Sequence, residues 1–259
     1  MVMNLSLRDD FIRRWDRYFP GVPLPITFEF SQDLRGLKPP EPSDNWKCLV
    51  CDLTKVRNGK DLVLDATSIT CKGGQRYCGY GKEEIPNFGY FLSYGLEGKT
   101  EGERYKKSPE VVTEWMKDFT PLPSSGSYLI FKRWDNLTAE DTPVAVIFFA
   151  RGEVLSGLFT LANFDRKDPF GVITPMGAGC SSLIYYPWHE EQSDDPRAVL
   201  GMMDPSARLC VQMDMLSFAV PMKKFTGMVE DMDESFLITP AWDRVRAKIV
   251  RGQELQKKT

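Results

Sequence analysis

Six cysteines fall in four stretches: "WKCLVCDL" holds Cys48 and Cys51, "CKGGQRYC" holds Cys71 and Cys78, "GAGC" ends on Cys180, and "RLCV" holds Cys210. A cysteine acts through its thiolate, as a nucleophile or as a metal ligand. Two of these stretches also carry paired glycines, Gly73 with Gly74 and Gly177 with Gly179. Glycine lets backbone N–H groups come close to a bound anion or a cluster sulfide. "GAGC" follows the strand-like "FGVITPM" and opens an apolar run, so Cys180 is expected at the start of a helix, where free N–H groups favour a thiolate. The plainer reading of Cys180 is a small apolar side chain in a tight turn. Cys210 lies in an apolar run and is expected in the core.

Spacing narrows the chemistry. Cys48 and Cys51 form one tight pair, with no second CxxC or HxxxH to complete a zinc finger, and Cys71 and Cys78 stand too far apart to be one. Iron–sulfur ligands can be scattered along a chain. The set therefore fits an iron–sulfur cluster, most simply [4Fe–4S], held by Cys48, Cys71 and Cys180 and completed by Cys78 or Cys51. Gly73, Gly74, Gly177 and Gly179 would supply N–H donors to it. Two alternatives stand beside this: a structural zinc site, and a non-enzymatic module in which the glycine loops and Arg208 bind a small anion. Nothing in the motifs decides for or against catalysis.

Other candidate residues carry less. His189, the one histidine, sits in "YPWHEE" and reads as a surface residue beside two glutamates. Asp204 caps the turn that starts at Pro205, and Asp204 with Arg208 reads as an i, i+4 ion pair or, functionally, as an anion-binding fork. The aromatics Tyr77, Tyr80, Tyr90, Tyr185, Tyr186 and Trp188 lie near the cysteine stretches, as packing or as a pocket wall. GxSxG, P-loop and dinucleotide-binding patterns are absent.

Composition bounds the function further. The net charge of −3 and scattered Lys and Arg argue against a nucleic-acid partner. No run approaches the ~20 apolar residues of a membrane helix, and the charged N-terminus does not read as a secretory signal. The cytoplasm is the expected compartment, where clustered cysteines more often mean metal or catalysis than disulfides. The Asn136–Thr138 sequon is then chance.

The elements that must position these residues read as follows. Helices are expected over residues 6–19, from Asp44 to Asn58, from Ser108 to Phe119, over 152–164, in "MKKFTGMVEDM" and in "PAWDRVRAKIVRG", with the last seven residues frayed. Strands are expected at 24–31, in "SYLIFKRW", at 142–150, at 170–176 and at 215–221, with 61–71 as a hairpin or extended pair. In the second helix Trp46, Leu49, Val50, Leu53 and Val56 form the buried stripe, and the two thiols project from the opposite side. "CKGGQRYC" is expected to be a loop. The order of elements gives an α+β fold, a mostly antiparallel mixed sheet with helices packed on it, as a single domain over 1–259 with a Pro-rich connector at 34–45.

The motifs "WKC", "CKGG", "GAGC", "YPWHEE", "GMMDPSAR" and "FAVPMKKF", in that order between Leu24 and Trp242, resemble the archaeal conserved-region (ArCR) family, a domain of unknown function from archaea and anaerobic bacteria. The resemblance implies a cytoplasmic, anaerobe-associated protein. It matches the family's cysteines to Cys48 or Cys51, to Cys71 and to Cys180, and puts Cys78 where relatives carry an apolar residue. The expected role is electron transfer or a redox step, with an electron-transfer protein or a small molecule as partner.

Overall fold

Alternating apolar residues make the sheet. In the computed structural model, which describes residues 2–81, 85–123 and 126–256, seven strands form one sheet: β1 (Ile26–Ser31), β2 (Leu62–Leu64), β3 (Tyr128–Arg133), β4 (Ala145–Ala150), β5 (Val172–Ile173), β6 (Ala198–Gly201) and β7 (Leu216–Pro221). Their order is β2-β3-β1-β4-β7-β6-β5. Every pairing is antiparallel except β5 with β6. The fold is α+β.

Period-2 side chains divide two cores between the faces of this sheet. On one face Val146, Phe148, Phe218 and Val220 meet α1 (Leu5–Tyr18), α6 (Gly152–Leu161), α8 (Met222–Asp231) and α9 (Pro240–Gln256) through Phe11, Trp15, Leu158, Phe225 and Trp242. On the other, Ile26, Phe28, Phe131, Ile147 and Ala219 meet α2 (Leu49–Arg57), α3 (Lys72–Tyr77) and a helix that begins as a π-helical segment (Ser181–Tyr185) and continues as α7 (Tyr186–Gln192). Two more helices, α4 (Phe88–Phe91) and α5 (Pro109–Met116), lie in the segment between β2 and β3. All the cysteines belong to the second face.

Several local expectations change. The second helix starts at Leu49, not at Asp44, because residues 41–48 run irregularly; Trp46 lies outside it and is 73% exposed, so the stripe is Leu49, Val50, Leu53 and Val56. Residues 61–71 contain only β2 and a turn in which Asp65 Oδ1 accepts the N–H groups of Thr67 and Ser68. "CKGGQRYC" is a helix with Cys71 and Cys78 at its two ends, closed by Gly79 at φ +80°, a left-handed position that suits glycine. The helix at 152 stops at Leu161, before Phe164. Strand β6 was not foreseen, and β5 is only two residues. Helix α9 continues to Gln256; the rest of the expected frayed end, residues 257–259, lies outside the described residues.

Candidate thiol and metal site

Three helices begin at cysteines. Cys48 is the extended residue before α2 (φ −73°, ψ 124°), and Cys71 occupies the same position before α3 (φ −80°, ψ 121°). Cys180 immediately precedes the π-helical segment. The first two starts are tied together: the N–H of Lys47, just before Cys48, donates to Oγ1 of Thr70, just before Cys71, at 2.8 Å. A Cβ on Gly74 would stand 3.7 Å from Cys71 Cβ and 3.9 Å from Leu49 Cβ, so the first turns of α2 and α3 pack directly. The third start joins them at Gly179, where a Cβ would fall 3.3 Å from Val50 Cγ2 and 2.6 Å from Ala207 Cβ. Only a hydrogen fits there, which is why Gly179 precedes Cys180.

Burial dominates the titration of these thiols. Burial pushes the Cys180 thiol well above its ordinary value, and the neighbouring Cys78, Cys71 and Cys48 sulfurs push it further. Burial, then Cys71, raises Cys78, which is fully enclosed. Cys48 is raised chiefly by burial, with Cys71 and Asp204 adding to the rise, while the N–H groups of Val50 and Cys51 oppose it. Among the described residues Cys48, Cys71, Cys78 and Cys180 are the free thiols.

Cys51 and Cys210 form a disulfide across 159 residues of sequence, with Cα atoms 4.6 Å apart. This corrects two expectations. Cys210 is not a core side chain, and Cys51, as a half-cystine, offers no thiolate to a metal. The bond staples α2 to the 3-10 turn Pro205–Cys210. Cys48 stands beside it: the sulfurs of Cys48, Cys51 and Cys210 all lie within 4.8 Å of one another, so three nearby cysteines are placed where a metal could be held once the bond is reduced. No sequence signal links residues that far apart.

The glycines divide in use. Gly73 places its missing Cβ 3.8 Å from Cys71 Sγ, at the edge of the thiols. Gly177 makes room for Ser181, whose Oγ would be 2.4 Å from a Cβ there. The Gly179 N–H is already given to Asp204 Oδ2 at 3.1 Å, so it is not a spare donor. Asp204 also caps Ser206 as expected. Arg208 does not serve as an anion fork: its guanidinium donates to the carbonyls of Met202, Gln212, Met213 and Met215 and so holds the loop that carries Cys210.

His189 is half-buried, not a surface residue. Its ring packs edge-on against Tyr185 and Trp188, at 4.5 and 5.1 Å between centroids, and burial lowers its pKa below the ordinary histidine value. The two glutamates beside it look elsewhere, Glu190 to Arg197 and Glu191 to the Lys223 N–H. Tyr185 stacks on Phe119 and meets Tyr77 edge-on, so these aromatics pack on one another.

A family profile, that of the uncharacterised ArCR proteins, matches residues 23–231. The chain belongs to the ArCR family. The match takes in all seven strands and every cysteine of this ArCR chain, and leaves out α1 and α9, which pack against each other through Trp242 Nε1 and the Tyr18 carbonyl at 3.0 Å. Neither a curated protein nor a solved structure matches it. No helix among the described residues is long and apolar enough to cross a membrane.

Proposed function

We propose that this ArCR chain is a cytoplasmic iron–sulfur protein whose cluster, [4Fe–4S], is held by Cys48, Cys71, Cys78 and Cys180, and which serves electron transfer or a redox step on a small molecule. The observation that supports the reading is that Cys48 and Cys71 open α2 and α3 at starts joined by the Lys47–Thr70 hydrogen bond, while Gly179, next to the free thiol of Cys180, packs against Val50 of α2. Thiolates left unpaired in such a buried place are costly, and a cationic cluster offsets that cost. Cys78 replaces Cys51 as the favoured fourth ligand, since the disulfide occupies Cys51. The N–H groups at the start of α2 and the burial around Cys180 would set the potential. The anion-binding alternative is weaker, because Arg208 is spent on carbonyls.

The test is anaerobic purification and reconstitution, with iron, acid-labile sulfide and absorbance measured. About four irons per chain and a broad charge-transfer band are expected, with Cys71→Ser and Cys180→Ala each losing most of the iron and Cys210→Ser keeping it. Colourless, iron-free protein would sink the reading.

A second reading has its own observation. Reduced Cys48, Cys51 and Cys210 are close enough for one zinc ion, whose thiolate ligands stand ~3.8 Å apart at a Zn–S bond of ~2.3 Å. Stoichiometric zinc that disappears in Cys210→Ser would favour it over the cluster.

A further inference from the structure

Cys48 carries a free thiol and lies within 4.8 Å of both sulfurs of the Cys51–Cys210 bond. A thiol exchanges with a disulfide by attacking one of its sulfurs, at a rate governed by access and by which sulfur is reached. Here the attacking group and one sulfur of the bond share one helix, Cys48 as its N-cap and Cys51 in its first turn. Cys48 precedes the first turn of nine-residue α2, and the Cys51 N–H donates to the Cys48 carbonyl at 3.1 Å. The pair therefore has the CxxC arrangement at a helix start that dithiol redox proteins use. Cys51 is exposed to solvent, so the bond is also within reach of a soluble thiol. In a reducing compartment such disulfides are mostly catalytic or sensing, seldom structural.

We infer that Cys48, Cys51 and Cys210 form a thiol–disulfide exchange site in which Cys48 displaces Cys210 from Cys51. In the step, Cys48 gives its proton to solvent and its Sγ attacks Cys51 Sγ. The Cys48–Cys51 bond forms and the Cys51–Cys210 bond breaks. The electron pair of the broken bond stays on Cys210 Sγ, which takes up a proton. One thiol and one disulfide stand on each side, so no oxidant or reductant is consumed. The exchange releases the 205–210 turn from α2. It also removes Cys48 from the four free thiols; that consequence for metal loading rests on the cluster reading, while the exchange itself needs no metal.

The experiment uses the full-length, metal-stripped protein equilibrated in glutathione redox buffers. Samples are quenched in acid, alkylated with N-ethylmaleimide and digested with trypsin. Cys48 and Cys51 share the peptide Cys48–Lys55, and Cys210 lies in another. The exchanged form is thus read as an unlabelled Cys48–Lys55 peptide lighter by two hydrogens, together with labelled Cys210. Both the Cys51–Cys210 link and this looped peptide are expected in wild type, with complete loss of the looped peptide in Cys48→Ser. A wild type that never yields the looped peptide at any buffer ratio overturns the proposal. A second variant checks the geometry without relying on the first: Cys51→Ser treated with oxidised glutathione is expected to link Cys48 to Cys210. Separate glutathione adducts on those two residues count against it. Iron is measured apart: a protein that exchanges but takes up no iron defeats the cluster reading and leaves this one standing.

Discussion

At the scale of single residues, His189 shows how burial turns an ordinary side chain into a reporter. Its folded pKa is lowered mainly by burial, against a weaker raising by the Thr120 backbone and Glu190. Below the ordinary value of 6.5 the unfolded chain therefore binds a proton that the folded chain resists. The stability from neutral His189 is complete above that value and is lost as pH falls from it toward the folded pKa. Glu191, raised by burial, acts in the opposite sense at more acid pH. Denaturant melts of wild type should weaken as pH falls below 6.5, and His189→Asn should flatten that step, since the chain has no other histidine. Equal slopes in the two proteins would show that His189 titrates normally.

At the scale of elements, the far end of β1, β3 and β4 is held by charge. Lys132 on β3 pairs with buried Asp141 at 2.8 Å, and Arg35 reaches both Glu29 on β1 (2.8 Å) and Asp141 (3.4 Å). Asp141 Oδ2 also accepts from the Thr138 hydroxyl at 3.0 Å, and Glu29 Oε2 accepts from the Thr142 hydroxyl at 2.9 Å. Removing one partner of such a pair leaves the other buried and uncompensated, at a cost of ~3–5 kcal/mol. Asp141→Ala should lower the unfolding free energy by about that much, and chemical denaturation giving a loss under ~1 kcal/mol would mean that water repairs the site. Glu29 and Lys132 neighbour Phe28 and Phe131, which face the cysteine side, and so point to the other face of the sheet; any metal content measured for wild type should be unchanged in this variant.

At the scale of the whole molecule, the Cys51–Cys210 bond closes a loop of 159 residues that contains most of the sheet. A cross-link over so long a loop restricts the unfolded chain strongly, and chain-entropy reasoning gives ~5 kcal/mol, of which ~2–5 is usually realised. Cys210→Ser should therefore lose ~2–5 kcal/mol of stability in oxidised samples and match wild type once a dithiol reductant is present. A variant as stable as the oxidised wild type would show that the bond carries little of the fold, which would agree with a role in exchange and not in stapling.

Much of this could be read along the chain, and the exceptions have a common cause. The amphipathic stripes of α1, α5, α8 and α9, the alternation in β1, β3, β4 and β7, and the α+β class follow from local periodicity, which the backbone expresses wherever the side chains lie. So do the placement of Cys180 at a helix start and the cap at Asp204. The sequence misled where local and tertiary demands differ. Gly73 and Gly74 suggest a loop, yet α3 forms, with Gly74 set closely against Ile69, whose Cγ2 would stand 3.0 Å from a Cβ there. Short β5 and β6 have almost no periodic signal and exist through pairing with β7 and with each other. The residue types needed for thiol chemistry were determined by the sequence alone. Which cysteines are free, and which two are joined, was decided only by the packing that brings Cys210 from the far side of the chain to Cys51. No property of a cysteine or its neighbours in sequence encodes a partner 159 residues away.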